Sequence, residues 1–234
     1  MSTIYTSGKY LESTQTWHIE DSPWKATQIS RIISANHIHP QKIVEIGCGA
    51  GAILEELSKK NCFCNIRLEG YDISPQAIEL AKERESKRVR FFCEDPLSEA
   101  KNDHFDVLLA IDVFEHIPDY MGFLTKCRNK ADYKIYHIPL DIHVSSVLRN
   151  VFLENRYTIG HLHYFTADSA IATLKDTGHE IVDYFYTNAA VDLFRQHPSI
   201  KKAIANFPRL LFSKLSVPVT TRIFGGYSLL VLAK

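Results

Sequence analysis

The stretch Ile43–Leu54, IVEIGCGAGAIL, constrains what this chain can fold into more than any other. An apolar run, Ile43-Val44-Glu45-Ile46, stops at Gly47, and Gly49 and Gly51 follow at alternate positions. Helical sequence then resumes through Ala52-Ile53-Leu54-Glu55-Glu56-Leu57. A strand, a tight glycine turn and a helix start, in that order, present bare backbone N–H groups where a ligand can approach. Gly47-x-Gly49-x-x-Ala52 also satisfies the G-x-G-x-x-G/A dinucleotide pattern, so the loop alone leaves the class of ligand open.

The rest of the chain alternates strands with helices around this unit. Asp21-Ser22-Pro23 reads as a helix start, and Ile29, Ile32 and Ile33 recur at helical spacing up to a stop near His39-Pro40. Strand 1 is expected at Lys42–Ile46, its helix at about Ala52–Lys60, and strand 2 at about Asn65–Tyr71. Ser74-Pro75 opens the next helix, "RVRFFCED" is strand 3, and "FDVLLAIDV" suits a parallel strand buried on both faces. "DYMGFLTKCRNK" is a helix, "YKIYHIPL" strand 5, "TADSAIATLKDTGHE" a helix closed by Gly178, and "EIVDYFYT" strand 6. The fold class is therefore α/β, a doubly wound Rossmann-like sheet. A closing strand, "GYSLLVLAK", follows without an ordinary crossover helix, which predicts an antiparallel final strand. The stretch between strands 6 and 7 is too long for a plain loop and carries broken helical periodicity punctuated by Pro198, Pro208 and Pro218. One domain is expected over 1–234: an N-terminal cap (1–40), a core (41–187) with an insert (139–166), a helical lid (188–225) and the closing strand (226–234).

Composition narrows the function classes. At 234 residues the chain can bury roughly 70% of its unfolded surface as one domain. Its formal net charge of +0 argues against a dedicated nucleic-acid binder, which needs a basic excess. No apolar run approaches the ~18 residues of a membrane span, and "MSTIYTSGKYLEST" lacks the layout of a signal peptide. The 5 cysteines form no C-x-x-C pair and suit no closed disulfide framework, so a reducing, cytoplasmic setting is expected.

Features beyond the loop bear on the ligand. Glu45 stands two residues before Gly47, completing E-x-G-x-G-x-G, and Asp72 lies about 20 residues past the loop at the end of strand 2, where a ribose-binding acid belongs. "FFCEDPL" places Asp95 at the end of strand 3, and "LLAIDVFEHIPD" ends strand 4. In this order and spacing, "VEIGCGAG", "GYDIS", "CEDPL" and "FDVLLAIDVFEHIPD" resemble the successive motifs of the class I S-adenosylmethionine-dependent methyltransferases. The resemblance is to the small-molecule type, covers about Asp21 to Thr187, and recurs in the closing strand; "GHLHYFTADSAIATLKDTGHEI" resembles the segment such enzymes carry before strand 6. It implies seven strands with the last antiparallel, and S-adenosylmethionine as cofactor with S-adenosylhomocysteine as product. It further implies that Gly47, Gly49 and Gly51 shape the loop under the methionine part. Glu45 would orient that loop and favour the ammonium group, directly or through water. Asp72 would hold the ribose hydroxyls, Ile73 would lie against adenine, and Asp95, with Glu94 as the alternative, would accept from the adenine amino group. Ile111 and Asp112 would face the methionine end. "WHIEDSPWK" would close over the cofactor, with Trp17 or Trp24 as an aromatic wall.

Methyl transfer from a sulfonium is an in-line displacement in which alignment and desolvation supply much of the catalysis. A base is needed only if the attacking oxygen or nitrogen still holds a proton, and histidine suits that task near neutral pH. In an open α/β sheet the chemistry lies outside the carboxyl ends of the strands. That narrows 11 histidines to His116 after strand 4, and His137, His143, His161 and His163 after strand 5. The catalytic candidates are His161, His163, His143 and His116, and "HIPLDIHVSSVLRNVFLENRYTIGHLHYF" is the substrate-side insert. His161 and His163, two apart on an extended segment, point the same way. With His143 or Asp141 they have the makings of a chelate, yet no metal is expected: one histidine faces the site and the other braces the insert. Glu115-His116 have an alternative use in satisfying the start of the next helix, and Tyr157, Tyr164 and Phe165 either wall an acceptor or pack in the core. Arg195, Lys201, Lys202, Arg209, Lys214 and Arg222 give 192–222 a local basic excess, suited to an acidic carrier protein, an anionic membrane surface or plain solvation. There is no basic-aromatic strip and no "DPPY"-type or "NPPY"-type tetrapeptide after strand 4, so the acceptor is expected to be a small organic molecule, not nucleic acid. The expected activity is methyl transfer to its oxygen or nitrogen. The alternatives are an NAD(P)-dependent oxidoreductase and a catalytically silent methyltransferase-like binding module.

Overall fold

The computed structural model describes residues 19–98, 103–193 and 200–234, without the side chains of 200–202, 204 and 205. Its strands are β1 (Lys42–Ile46), β2 (Arg67–Tyr71), β3 (Val89–Phe92), β4 (Phe105–Ile111), β5 (Ala131–Pro139), β6 (Ile181–Thr187) and β7 (Ser228–Ala233). They form one sheet in the order β3-β2-β1-β4-β5-β7-β6. β1 through β5 pair in parallel, and β7 is antiparallel to both β5 and β6, as the sequence predicts. β4 is buried at six of its seven positions, which explains its unbroken apolar run: a parallel strand is covered on both faces.

Helices α1 (Ser22–Ala35), α2 (Ala52–Ser58), α3 (Pro75–Lys82), α4 (Tyr120–Arg128), α5 (Val144–Arg149), α6 (Phe152–Thr158) and α7 (Ala167–Asp176) belong to the cap, the crossovers and the insert. On one face of the sheet, Ile29, Ile32 and Ile33 of α1 pack with Leu54 and Leu57 of α2 against β1, β2 and β4. On the other, Leu124 and Cys127 of α4 and Ala170 and Leu174 of α7 pack against Leu108, Tyr136 and Val231. α1 ends at Ala35, short of the expected stop at His39-Pro40. The Asn36 side chain there donates to the Ile32 carbonyl and to Asp183, and His37 turns to φ 53. β3 is shorter than "RVRFFCED" because Cys93–Asp95 leave the sheet as a loop at its carboxyl edge.

The segment after β6 contains α8 (Ala189–Asp192), α9 (Ile200–Ser213) and α10 (Val217–Phe224). The Arg209 guanidinium donates to the carbonyls of Phe224 and Gly225 and to Asn206 Oδ1, and so pins α9 to the end of α10. Arg222 pairs with Asp168 of α7. Two of the six basic residues therefore serve contacts within the chain. Lys214 is exposed, and Arg195 and the side chains of Lys201 and Lys202 lie outside the described residues. Among the described residues, no helix is long and apolar enough to cross a membrane.

Candidate active site

β1 pairs with β2 on one side and with β4 on the other, so the strand order reverses at β1. In a doubly wound sheet that reversal opens a crevice beyond the carboxyl ends. A cavity of about 670 Å³ lies there. Asp72, Ile73, Glu94 and Asp95 line part of it, the glycine loop another part, and Glu115, His116 and His161 a third.

The loop is fixed by its own backbone. Gly47 and Cys48 N–H donate to the Tyr71 carbonyl at 2.8 and 3.1 Å, tying the loop to the end of β2. Gly47, Gly49 and Gly51 take φ values of 73°, 53° and 78°, a region that favours glycine. A Cβ on Gly47 would stand 2.7 Å from Val113 Cγ2, and one on Gly51 2.4 Å from Phe91 Cζ. Asp72 is the loop's second anchor: Oδ2 accepts from Gly49 N–H at 2.9 Å and Oδ1 from Ser74 N–H at 2.8 Å. Each oxygen keeps a further lone pair for a ligand hydroxyl. Asp72 is not spent as a helix cap, because Ser74 Oγ accepts from Ala77 N–H at the start of α3. Burial raises the Asp72 pKa, against the lowering effect of the Ser74, Gly49 and Ile73 N–H groups. Ile73 is 41% exposed, open enough to take a flat ring. Asp95 Oδ1 accepts from Leu97 N–H.

Glu45 is 1% exposed, and among the described residues its Oε2 has no hydrogen-bond partner. Burial pushes its pKa up to about 8, assisted by Asp72 and opposed by the Lys25 ammonium. A buried carboxylate oxygen without a partner costs folding free energy, and a cationic ligand beside it would recover that cost.

Next to Glu45 runs a chain of charged groups in which the sequence reading named only Asp112 as a site residue. Lys25 Nζ lies 2.8 Å from Asp112 Oδ2, and His137 Nδ1 lies 2.6 Å from Asp112 Oδ1. His137 Nε2 lies 2.9 Å from Thr187 Oγ1. Burial would push the Asp112 carboxyl up, but His137 and Lys25 outweigh it and hold the group below the usual carboxylate range. Burial likewise opposes the Lys25 charge, and Asp112 more than restores it, raising the ammonium pKa. The network ties α1 to the carboxyl ends of β4, β5 and β6, and Asp112 itself is held at φ 54. Lys25 ends the "WHIEDSPWK" segment, whose resemblance implies a cover over the cofactor but not Lys25 as its anchor. Trp24 lines the cavity, with Nε1 donating to Asp192 of α8 at 3.0 Å; Trp17 and His18 lie outside the described residues.

Beyond β4, a short 3-10 turn, Phe114–His116, brings Glu115 and His116 to the cavity wall. Glu115 is fully buried, and among the described residues neither carboxyl oxygen has a hydrogen bond. Burial, then the nearby Asp112 charge, pushes its pKa well above the carboxylate range. Its backbone carbonyl accepts from Leu162 and His163 N–H, which docks the extended end of the insert here. His116 Nδ1 lies 3.0 Å from the Gly160 carbonyl, and burial together with His161 lowers its pKa to about 4. His161 Nδ1 lies 2.6 Å from Asp141 Oδ2, and its ring meets that of His116 edge-on at 4.9 Å. Asp119, not Glu115 or His116, caps α4.

The histidines of the insert separate. His161 lines the cavity, whereas His163 and His143 are not among its lining residues. His163 Nε2 bonds the Ile117 carbonyl at 3.0 Å and its ring packs on Tyr120. His143 Nδ1 accepts from Ser146 N–H and caps α5. Tyr157 is 79% exposed, Tyr164 donates to the Phe152 carbonyl, and Phe165 is in the core; none of the three lines the cavity.

Residues 44–131 match the family described as "Methyltransferase domain". The chain is 30% identical over 93 residues to malonyl-[acyl-carrier protein] O-methyltransferase 1 of Ilyobacter polytropus, covering 39% of this chain and 34% of that protein. It is 23% identical over 129 residues to the ubiquinone biosynthesis O-methyltransferase of Coxiella burnetii, covering 51% of this chain and 53% of that one. The chain thus matches between a third and about half of the length of these relatives. Its fold is shared with the magnesium protoporphyrin IX methyltransferase of Synechocystis PCC 6803, solved with bound S-adenosylhomocysteine. The TM-score is 0.59 at 14% identity, over 90% of this chain and 82% of that one.

Proposed function

We propose that the chain is a class I S-adenosylmethionine-dependent methyltransferase that methylates an oxygen or nitrogen of a small organic acceptor, a reading supported by the family match over 44–131 and the shared fold. The observation that carries this reading is Glu45, a buried carboxyl with an unpartnered oxygen behind the glycine loop. A dinucleotide would bring a pyrophosphate to this loop, where an ionised Glu45 would oppose it as a like charge; Asp72 suits the ribose of either cofactor and does not discriminate. S-adenosylmethionine brings an ammonium group instead, which Glu45 fits.

When bound, the cofactor supplies an electrophilic methyl group on a sulfonium. The chain's own residues then divide the remaining work. Glu45 holds the ammonium group, Asp72 the ribose hydroxyls, and Ile73 the adenine face, with Asp95 or Glu94 at the amino group. Ile111 and the Lys25–Asp112–His137 network floor the methionine end. At the acceptor end, Asp141 fixes the His161 tautomer by accepting from Nδ1–H, which leaves the ring's lone pair on Nε2. His161 is therefore the group suited to take a proton from an acceptor hydroxyl or amine. His116 and His161, not His163 or His143, carry this side of the reading. The two curated relatives are O-methyltransferases by name, which favours oxygen. The cysteines among the described residues are free, in keeping with a cytoplasmic setting.

Calorimetric titration with S-adenosylhomocysteine and with NAD tests the cofactor half. Saturable binding of the first alone is expected, and binding of NAD alone would overturn the reading. Methyl transfer from labelled S-adenosylmethionine to a panel of hydroxylated and amino acceptors separates an enzyme from a silent binding module.

A further inference from the structure

We propose that Glu115, His116 and His161 form a binding site for one divalent transition-metal ion, of the Zn²⁺ or Mn²⁺ class, at the acceptor end of the cavity. Sequence spacing groups His161 and His163 with His143 or Asp141, and the fold disperses these histidines. A different trio is brought together: one ligand atom from each of Glu115, His116 and His161 lies within 4.8 Å of the others. His116 Nε2 is already 3.8 Å from Glu115 Oε1. Ligand bonds of about 2.0–2.2 Å hold neighbouring donor atoms roughly 3–3.5 Å apart, so rotations that move these atoms by about 1 Å close the set.

Three further observations fit a cation here. Glu115 is 0% exposed and neither of its carboxyl oxygens is hydrogen-bonded among the described residues. A carboxyl kept dry in this way is costly unless a charge of opposite sign meets it. Both imidazoles are also oriented for ligation. His116 Nδ1 faces the Gly160 carbonyl and His161 Nδ1 faces the Asp141 carboxylate, groups that only accept, so Nδ1 carries the proton in each ring and Nε2 the lone pair. A carboxylate or carbonyl behind each ligating histidine is the usual outer support of a metal site. Finally, two nitrogens and one oxygen suit the borderline ions and leave coordination positions open toward the cavity. With the ion bound, His161 Nε2 would be a ligand and not a base, and an acceptor oxygen or nitrogen in an open position would lose its proton more readily through the ion's charge; that last step alone rests on the methyl-transfer reading.

The test uses the whole chain, stripped with a chelator and titrated calorimetrically with MnCl₂ and, separately, ZnCl₂, with no cofactor present. One ion per chain is expected, accompanied by a rise in melting temperature. Glu115→Gln and His161→Ala should each weaken binding at least tenfold and abolish the thermal rise, and Asp141→Asn should weaken it about 10–100-fold. Exposed Cys62 and Cys64 offer Zn²⁺ another foothold, so the variants decide whether the isotherm belongs to this trio. If neither ion binds saturably, or if Glu115→Gln and His161→Ala leave both isotherms unchanged, the site does not exist. S-adenosylhomocysteine affinity in the same variants reports whether they are folded; should Glu115→Gln fail to fold, His161→Ala decides. Metal binding without S-adenosylhomocysteine binding in the native chain would overturn the cofactor assignment and leave the metal site standing.

Discussion

Replacing Glu45 by Gln should make the cofactor-free protein more stable at neutral and alkaline pH while weakening its hold on the cofactor. Glu45 is buried, and its pKa rises from 4.5 to about 8 on folding. A carboxyl with a raised folded-state pKa adds nothing to instability while it is protonated in both states, below about pH 4.5. As pH rises further, the unfolded chain ionises freely and the folded one does not, so stability is lost until the folded group ionises near pH 8. One pKa unit is worth about 1.36 kcal/mol, which puts the loss between pH 5 and pH 8 at about 3–4 kcal/mol. Glutamine keeps the shape and cannot ionise, so the variant should match the native protein near pH 5 and exceed it by about that amount at pH 8. Glu115 moves native stability in the same direction, but it is present in both proteins and cancels in the difference. Urea unfolding of both proteins without cofactor, followed by tryptophan fluorescence and circular dichroism at the two pH values, measures it. The same variant should bind S-adenosylhomocysteine at least tenfold more weakly at pH 8, through loss of a charged partner for the ammonium group. Identical pH dependence in the two proteins would refute the claim that Glu45 is a buried carboxyl held ready for a cation.

Other substitutions test separate parts of the site. Asp72→Ala removes the acceptor for Gly49 and Ser74 N–H and should weaken S-adenosylhomocysteine binding by about 1–3 kcal/mol; unchanged affinity in a folded variant, measured calorimetrically, would remove Asp72 from the site. Gly51→Ala places a Cβ 2.4 Å from Phe91 Cζ at φ 78°, and should cost roughly 1–3 kcal/mol by urea unfolding; an unaltered midpoint would mean the loop packs differently. His161→Ala should lower turnover by roughly 10²–10⁴ with cofactor affinity nearly unchanged. His163→Ala should keep turnover within a few-fold and lose about 1 kcal/mol of stability with its bond to the Ile117 carbonyl. Equal losses of turnover in the two would contradict their placement.

The glycine-loop side of the cavity was legible from residue order because its parts are local. Glu45, the three glycines and Asp72 sit at the ends of adjacent parallel strands, so strand periodicity and glycine spacing alone bring them to one edge. The antiparallel β7 was legible because the stretch before it, broken by Pro198, Pro208 and Pro218, does not read as the ordinary crossover helix that a parallel strand needs. Helix and strand ends were less so, since Asn36 and the loop at Cys93–Asp95 stop their elements through contacts made only after folding. The Glu115–His116–His161 side of the cavity depended on tertiary structure altogether. His161 and His163 look equivalent in sequence, yet the carbonyl of Glu115, docked on the N–H groups of Leu162 and His163, fixes which of the two imidazoles lines the cavity. Lys25 joined the site through an ion pair to Asp112, 87 residues away in sequence. What residue order determined was the backbone frame and the groups fixed directly to it. Which side chains from distant segments share one buried volume was decided by packing, because their burial and partners exist only once the insert and the N-terminal helix close on the sheet.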